Sequence, residues 1–200
     1  SGYGSYEWST GQNTQIIEVN ESGTYSVDVF NSENSNNYSM SFEDGNYVTL
    51  GDTDFNDASY SIQLSINPSS FDSGQGHSEI ISKRPISGLG DGFALIVHPE
   101  YSNGPGIGFA TGNSNEIYYS EEHVPGTWYN VAVTYDGNIL KIYIDGELKI
   151  SSENVGSITN NDIPIVLGRR AQQGGYEHQF FGKIDNVSFT TFVLPLDVEP

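Results

Sequence analysis

Cysteine is missing from all 200 residues, so neither a disulfide nor a thiolate metal site is available and the fold rests on packing. Small secreted eukaryotic domains normally rely on such cross-links and bacterial ones need not, so the absence leaves the compartment open. Cations are scarce too: seven Lys and Arg stand against 26 Asp and Glu, a formal net charge of -19. A field of that sign repels phosphodiester backbones and anionic lipid surfaces. It excludes nucleic acid and leaves cations, neutral sugars and basic proteins as partners, while most of the carboxylates simply solvate the surface. No apolar run approaches the ~18 residues that a bilayer-spanning helix requires. The opening SGYGSYEWSTG has no charged and then apolar leader, so any export signal is expected to have been removed or to lie upstream. No segment repeats apolar residues at the helical period, so helix is expected to be minor.

What is present is period-two alternation. In WYNVAVTYDGNILKIYIDG, Trp128–Gly146, residues Tyr129, Val131, Val133 and Tyr135 share one face, with Asn130, Ala132 and Thr134 on the other. Beyond Asp136-Gly137 the pattern resumes, with Leu140, Ile142 and Ile144 inward and Lys141, Tyr143 and Asp145 outward. Alternation on both sides of a DG pair specifies a β-hairpin. A second DG, Asp145-Gly146, returns the chain into Glu147–Ser151. Similar runs at Tyr47–Leu50, Tyr60–Asn67, Glu79–Lys83, Phe93–His98, Gly106–Thr111, Ile117–Ser120, Asp162–Gly168 and Phe180–Leu196 are broken by Gly, Pro and Asn clusters. The expected architecture is all-β: two antiparallel sheets packed as a sandwich, with roughly a dozen strands.

The first thirty residues carry a pattern of their own. A strand is expected at Thr14–Val19, a turn at Asn20–Gly23 and a second strand at Thr24–Phe30, with the polar run Asn31–Asn37 as a linker. Residues 1–34 form this N-terminal hairpin segment and residues 35–200 the sandwich. WSTGQNTQIIEVNESGTYSVDV resembles the last hairpin of immunoglobulin-like or PKD-like repeats in secreted Bacteroidetes proteins.

Six pieces of the remainder resemble one family. FEDGNYVTL is similar to the opening of laminin-G-like, concanavalin A-like jelly-roll domains. YSIQLSINP, EIISK, WYNVAVTYDGNILKIYIDGEL, IVLGRR and FFGKIDNVSF are similar to their later strands, in the same order and spacing from Tyr38 to about Leu196. Two departures stand out: Ser65 occupies the place of the family's usual tryptophan, and FVLPLDVEP replaces its usual terminal segment. The resemblance implies a calcium tying the first strand's turn to the last strand, at Asp44 and Asp185 with Glu43, Asn46 and Asn186 nearby. Those aspartates would otherwise cap turns. Asp52–Asp57 mimics the start of an EF-hand loop, but Asp57 and Gln63 stand where that loop needs Gly and Glu.

Sugar sites pair an aromatic face with groups that bind hydroxyls. Candidates are Tyr101, Tyr118, Tyr119, Tyr176, His178, Arg169 and Arg170, several of them in RRAQQGGYEHQ, Arg169–Gln179. The recognition loops are expected to be Arg84–Gly92, Pro99–Pro105 and Arg169–Gln179, because loops on a rigid sandwich concentrate binding residues. Catalytic patterns are missing. Glycosidases of this sandwich carry two carboxylates in an ExDxxE strand, and its alginate lyases carry RxExR and QxH strands; no strand read here carries any of these patterns. His77, His98, His123 and His178 have no zinc-binding spacing, and no GxSxG or phosphate loop occurs. The expected function is therefore non-catalytic: a monomeric lectin-like module, binding a polysaccharide or glycan, in a secreted or cell-surface bacterial protein. A protein-binding adhesion or spacer module is the alternative, and a hydrolase or lyase a more remote one.

Overall fold

The computed structural model describes residues 5–14, 17, 27–30, 38–43, 45–55, 59–72, 74, 76–85, 91–101, 104–111, 115–121, 123–153, 157–171 and 178–190. The chain divides into two compact units, Ser1–Tyr38 and Ser39–Pro200. In the first, β1 (Ser5–Trp8) pairs antiparallel with β2 (Val27–Phe30), Trp8 lying opposite Val27. This corrects the sequence expectation. Trp8 ends a strand instead of preceding one, because the Gly11 N–H donates to the Trp8 carbonyl and the Trp8 indole N–H donates to the Thr14 carbonyl, each closing a turn. The described residues of Thr14–Val19 are not strand, and the expected turn at Asn20–Gly23 lies outside the described residues.

The second unit is a two-sheet antiparallel β-sandwich of the jelly-roll type, with no helix among the described residues. Its strands are β3 (Met40–Phe42), β4 (Val48–Gly51), β5 (Tyr60–Pro68), β6 (Ser78–Lys83), β7 (Phe93–Tyr101) and β8 (Gly104–Thr111). They continue with β9 (Asn115–Ser120), β10 (Tyr129–Tyr135), β11 (Leu140–Ile144), β12 (Glu147–Ser152), β13 (Ile165–Leu167) and β14 (Gly182–Thr190). The first sheet runs β12-β11-β10-β5-β14-β3 and the second β4-β13-β6-β7-β8-β9. The DG hairpin is in the expected register, Val133 opposite Ile142. Its turn is closed by the Asp136 carboxylate, which accepts the N–H groups of Asn138 (2.9 Å) and Ile139 (2.7 Å). Those two donors hold the carboxyl below its ordinary pKa.

Between the sheets, Ile62, Leu64, Ile66, Val131, Val133 and Ile142 meet Phe93, Leu95, Val97, Ile107 and Phe109 in one core. Phe55, from the segment between β4 and β5, packs edge-on to Tyr60, Phe93 and Phe189 at 5.1–5.9 Å. Burying a ring against three others removes a large apolar area from water, about 1.5–3 kcal/mol for a side chain of this size. Strand limits differ from the expected ones at β7 and β8, which run on through a register shift between His98 and Tyr101. Most of the expected loop Pro99–Pro105 is therefore strand. β13 is shorter than the Asp162–Gly168 expected, and residues beyond 190 lie outside the described set.

Candidate functional site

Alternation sends every second side chain of β5, β10 and β11 away from the core. Ala132 stands opposite Gln63 on one side and Tyr143 on the other, and Asn130 stands opposite Ser65, which faces Asp185 on β14. Three of these outward positions are small: Ser65, Ala132 and the turn residue Gly146. The result is a depression of about 340 Å³ on the outer face of the first sheet, walled by Gln63, Asn130, Tyr143 and Asn186. Tyr143 points outward as the alternation requires, yet it is only 4% exposed because it is sunk in this recess. Trp128, two residues before Asn130 and just ahead of β10, is 44% exposed.

Asn186 reaches the depression because β14 carries a bulge between Asp185 and Ser188. Its φ is 52°, a left-handed conformation that Asn tolerates better than most residues. Its N–H donates to Asp185 Oδ1 at 2.8 Å. A directed series of hydrogen bonds then crosses three strands to the turn after β11. Asn186 Nδ2 donates to Ser65 Oγ (3.2 Å), and Ser65 Oγ donates to Asn130 Oδ1 (2.9 Å). Asn130 Nδ2 and N–H both donate to Asp145 Oδ1 (3.3 and 2.8 Å). Gln63 stands beside this series half-buried, and its side-chain amide has no hydrogen-bond partner among the described residues.

The residues singled out from the sequence lie mostly elsewhere. Glu79, fully buried on β6, receives Arg84 (Nε 3.1 Å, NH2 2.5 Å) and Arg170 Nε (2.7 Å), all on Oε1. Burial alone would raise its carboxyl, but His77 and the two guanidiniums outweigh that and hold it well below the carboxylate range. His178 stacks on His77 at 4.0 Å with φ 60°, and its Nδ1 lies 3.1 Å from the His77 carbonyl. Burial, with the nearby charges of His77 and Arg170, lowers its pKa. His98 lies 2.6 Å from Glu116 and 5.4 Å from the His77 ring. His77, Glu79 and His178 offer ligand atoms within 4.8 Å of one another. Two guanidiniums on one carboxylate already leave this cluster positive, which opposes a further dication.

Arg169 lies over the Tyr47 ring at 3.5 Å, so it and Arg170 serve the protein's own packing. Tyr118 and Tyr119 are on strand β9 and not on a loop. Tyr118 is 6.1 Å from the His98 ring, and the Tyr119 hydroxyl donates to Glu121 at 2.6 Å. Tyr101 lies on β7. Tyr176 and Asp44 fall outside the described residues. The remaining calcium candidates are not brought together. Asp185 and Asn186 border the depression, whereas Glu43 and Asn46 sit past the end of β3, where Gln179 Nε2 donates to the Asn46 carbonyl. Phe42 pairs with Gly182, so Glu43 and Asp185 are about 13 Å apart along the ladder at ~3.4 Å per residue. The EF-hand mimic also has a structural use: Asp52 pairs with the buried Lys83, which donates to the carbonyls of Asn161 and Ile163.

Gln63, Ser65, Asn130 and Trp128 were absent from the candidates read from sequence. Only outward alternation and the missing tryptophan at 65 pointed toward them.

Residues 42–196 match Laminin_G_3, described as the concanavalin A-like lectin/glucanases superfamily. Pappalysin-1 of Mus musculus is 35% identical over 71 residues, 33% of this chain but 4% of that protein, so the chain spans a small fraction of this relative. The Ruminococcus gnavus IT-sialidase CBM40 bound to alpha2,3 sialyllactose is 16% identical with a TM-score of 0.60, over 80% of this chain and 92% of that one. Domain 4 of AbnA, a GH43 extracellular arabinanase from Geobacillus stearothermophilus, in complex with arabinotriose, is 19% identical with a TM-score of 0.52, over 70% of this chain and 63% of that one. At such identities the two structures share the fold. The match across residues 42–196 covers most of the sequence, and by it the chain belongs to the concanavalin A-like lectin/glucanases superfamily.

Proposed function

We propose that the sandwich is a non-catalytic carbohydrate-binding module that holds a glycan on the outer face of its first sheet. The observation that carries this reading is the half-buried amide of Gln63, without a hydrogen-bond partner among the described residues, in a recess whose wall residue Asn130 follows the exposed Trp128 by two positions. An amide offers both donor and acceptor to a hydroxyl, and an indole covers the apolar side of a sugar ring. Neighbours of the same fold in complex with sialyllactose and arabinotriose support the assignment.

The carboxylates near the recess argue against glycosidase chemistry. Asp145 lies beside Asn130 on one flank and Asp185 beside Ser65 on the other. Three strand spacings at ~4.8 Å put them about 14 Å apart, whereas paired glycosidase carboxylates stand about 5–9.5 Å apart. The module would belong to a secreted or cell-surface bacterial protein, with residues 1–34 ending an upstream immunoglobulin-like repeat. Screening the chain on a polysaccharide and oligosaccharide panel tests the reading. Binding lost in Gln63→Ala and Trp128→Ala, with unchanged melting, is expected; wild-type protein that binds no glycan would overturn it.

A further inference from the structure

The recess and the placement of every cation in the chain together define the class of sugar, an inference that rests on the glycan reading above. All seven Lys and Arg lie among the described residues. Lys83 is buried against Asp52, and Arg84 and Arg170 share Glu79. Arg169 covers Tyr47, and Lys149 reaches Glu121 and Glu147. None of these five lines the recess, whose polar walls among the described residues are the side chains of Gln63, Ser65, Asn130, Tyr143 and Asn186.

Two lysines share the outer face of the first sheet but stand one pleat away. Lys141 pairs with Thr134 on the row beyond Tyr143, where its charge acts on Asp136. Lys183 pairs with Asn67 on the row beyond Ser65. Asp145 and Asp185 are nearer, on the Ser65 row itself. Capturing a sugar carboxylate or sulfate calls for a guanidinium fork or a desolvated ammonium. A hydroxyl is both donor and acceptor and is matched by a primary amide, which is what the recess supplies three times.

We infer that this face selects a neutral sugar segment, one or two rings long, and rejects uronic, sialic and sulfated sugars. The length follows from the volume of about 340 Å³, at the low end of ligand sites, which run from about 300 to 1,000 Å³.

Isothermal titration of the whole chain with neutral oligosaccharides and their acidic counterparts of equal length, at low and at physiological salt, tests this. The expected result is neutral binding about tenfold or more tighter than acidic, as one like charge held close in a partly buried site produces. That affinity should be insensitive to salt and to Lys183→Ala and Lys141→Ala. Tighter binding of the acidic member, weakened by salt or by either lysine variant, would overturn the inference and leave the glycan reading standing. Binding of neither class at this face, with Ser65→Trp changing nothing, would overturn both.

Discussion

At position 65 a hydroxyl group occupies space that an indole would fill. Ser65 lies between Asn130 and Asn186 and hydrogen-bonds to both, so its small size opens the recess and its oxygen links the recess walls. Ser65→Trp should close the depression from the solvent side, abolishing glycan binding while circular dichroism stays that of the parent; retained affinity would show that the ligand sits elsewhere. Ser65→Ala keeps the space but breaks the link, and a titration should show a loss nearer that of one hydrogen bond, about 1 kcal/mol. Glu79 presents the opposite situation. Its carboxylate is the shared partner of Arg84 and Arg170 on a fully buried strand position. Glu79→Gln strands two guanidiniums and should cost about 3–5 kcal/mol in urea unfolding, whereas an exposed acid such as Glu147 should change stability by less than about 1 kcal/mol.

Among the elements, the turn after β13 is tightly determined by one close approach. Gly168 has a φ of 89°, and a Cβ there would lie 2.2 Å from Phe42 Cδ1. Phe42 is 1% exposed and packs edge-on to Phe180, so its ring has nowhere to move. Gly168→Ala should therefore destabilise by about 2–4 kcal/mol, from left-handed backbone strain plus overpacking, and a thermal melt will read it. Such a clash was not legible in the sequence, since Gly168 and Phe42 are far apart along the chain. The β10–β11 hairpin was, because Asp136-Gly137 and the flanking alternation are local signals that the tertiary fold reinforces. β1 was missed for the converse reason: the partner of Val27–Phe30 is Ser5–Trp8, a short polar run without alternation. The recess stood between these cases. Its outward residues were identified as outward, but recognition was sought on loops, and only register across three strands reveals that Ser65, Asn130 and Asn186 meet. Arg169 and Arg170 drew notice as rare cations, and their ring and carboxylate partners could not be inferred from spacing.

For the molecule as a whole, acid is the informative variable. His178 has a pKa below its ordinary value of 6.5, so the unfolded chain takes up the proton first and stability falls as pH drops below 6.5 toward the folded value. Glu79, held well below 4.5, adds a contribution present above 4.5 and lost as pH falls through its folded pKa. Protonating other carboxylates meanwhile relieves repulsion within a chain of net charge -19, which works in the opposite direction. A paired comparison separates the two. His178→Asn removes the titration and suits the φ of 60°. The melting temperature of the parent minus that of the variant should shrink between pH 7 and pH 5; a constant difference would show that His178 does not titrate differently on unfolding.

The hydrogen bonds running Asn186 to Ser65 to Asn130 to Asp145 all point the same way, each group donating to the next. Dipoles aligned head to tail polarise one another, and these run across the strands in the same direction as the backbone hydrogen bonds beneath them. They brace the sheet on its solvent side, where no core presses against it. A guest arriving there meets fixed groups on rigid strands and not a loop that must first come to order, so little mobility is left for docking to remove.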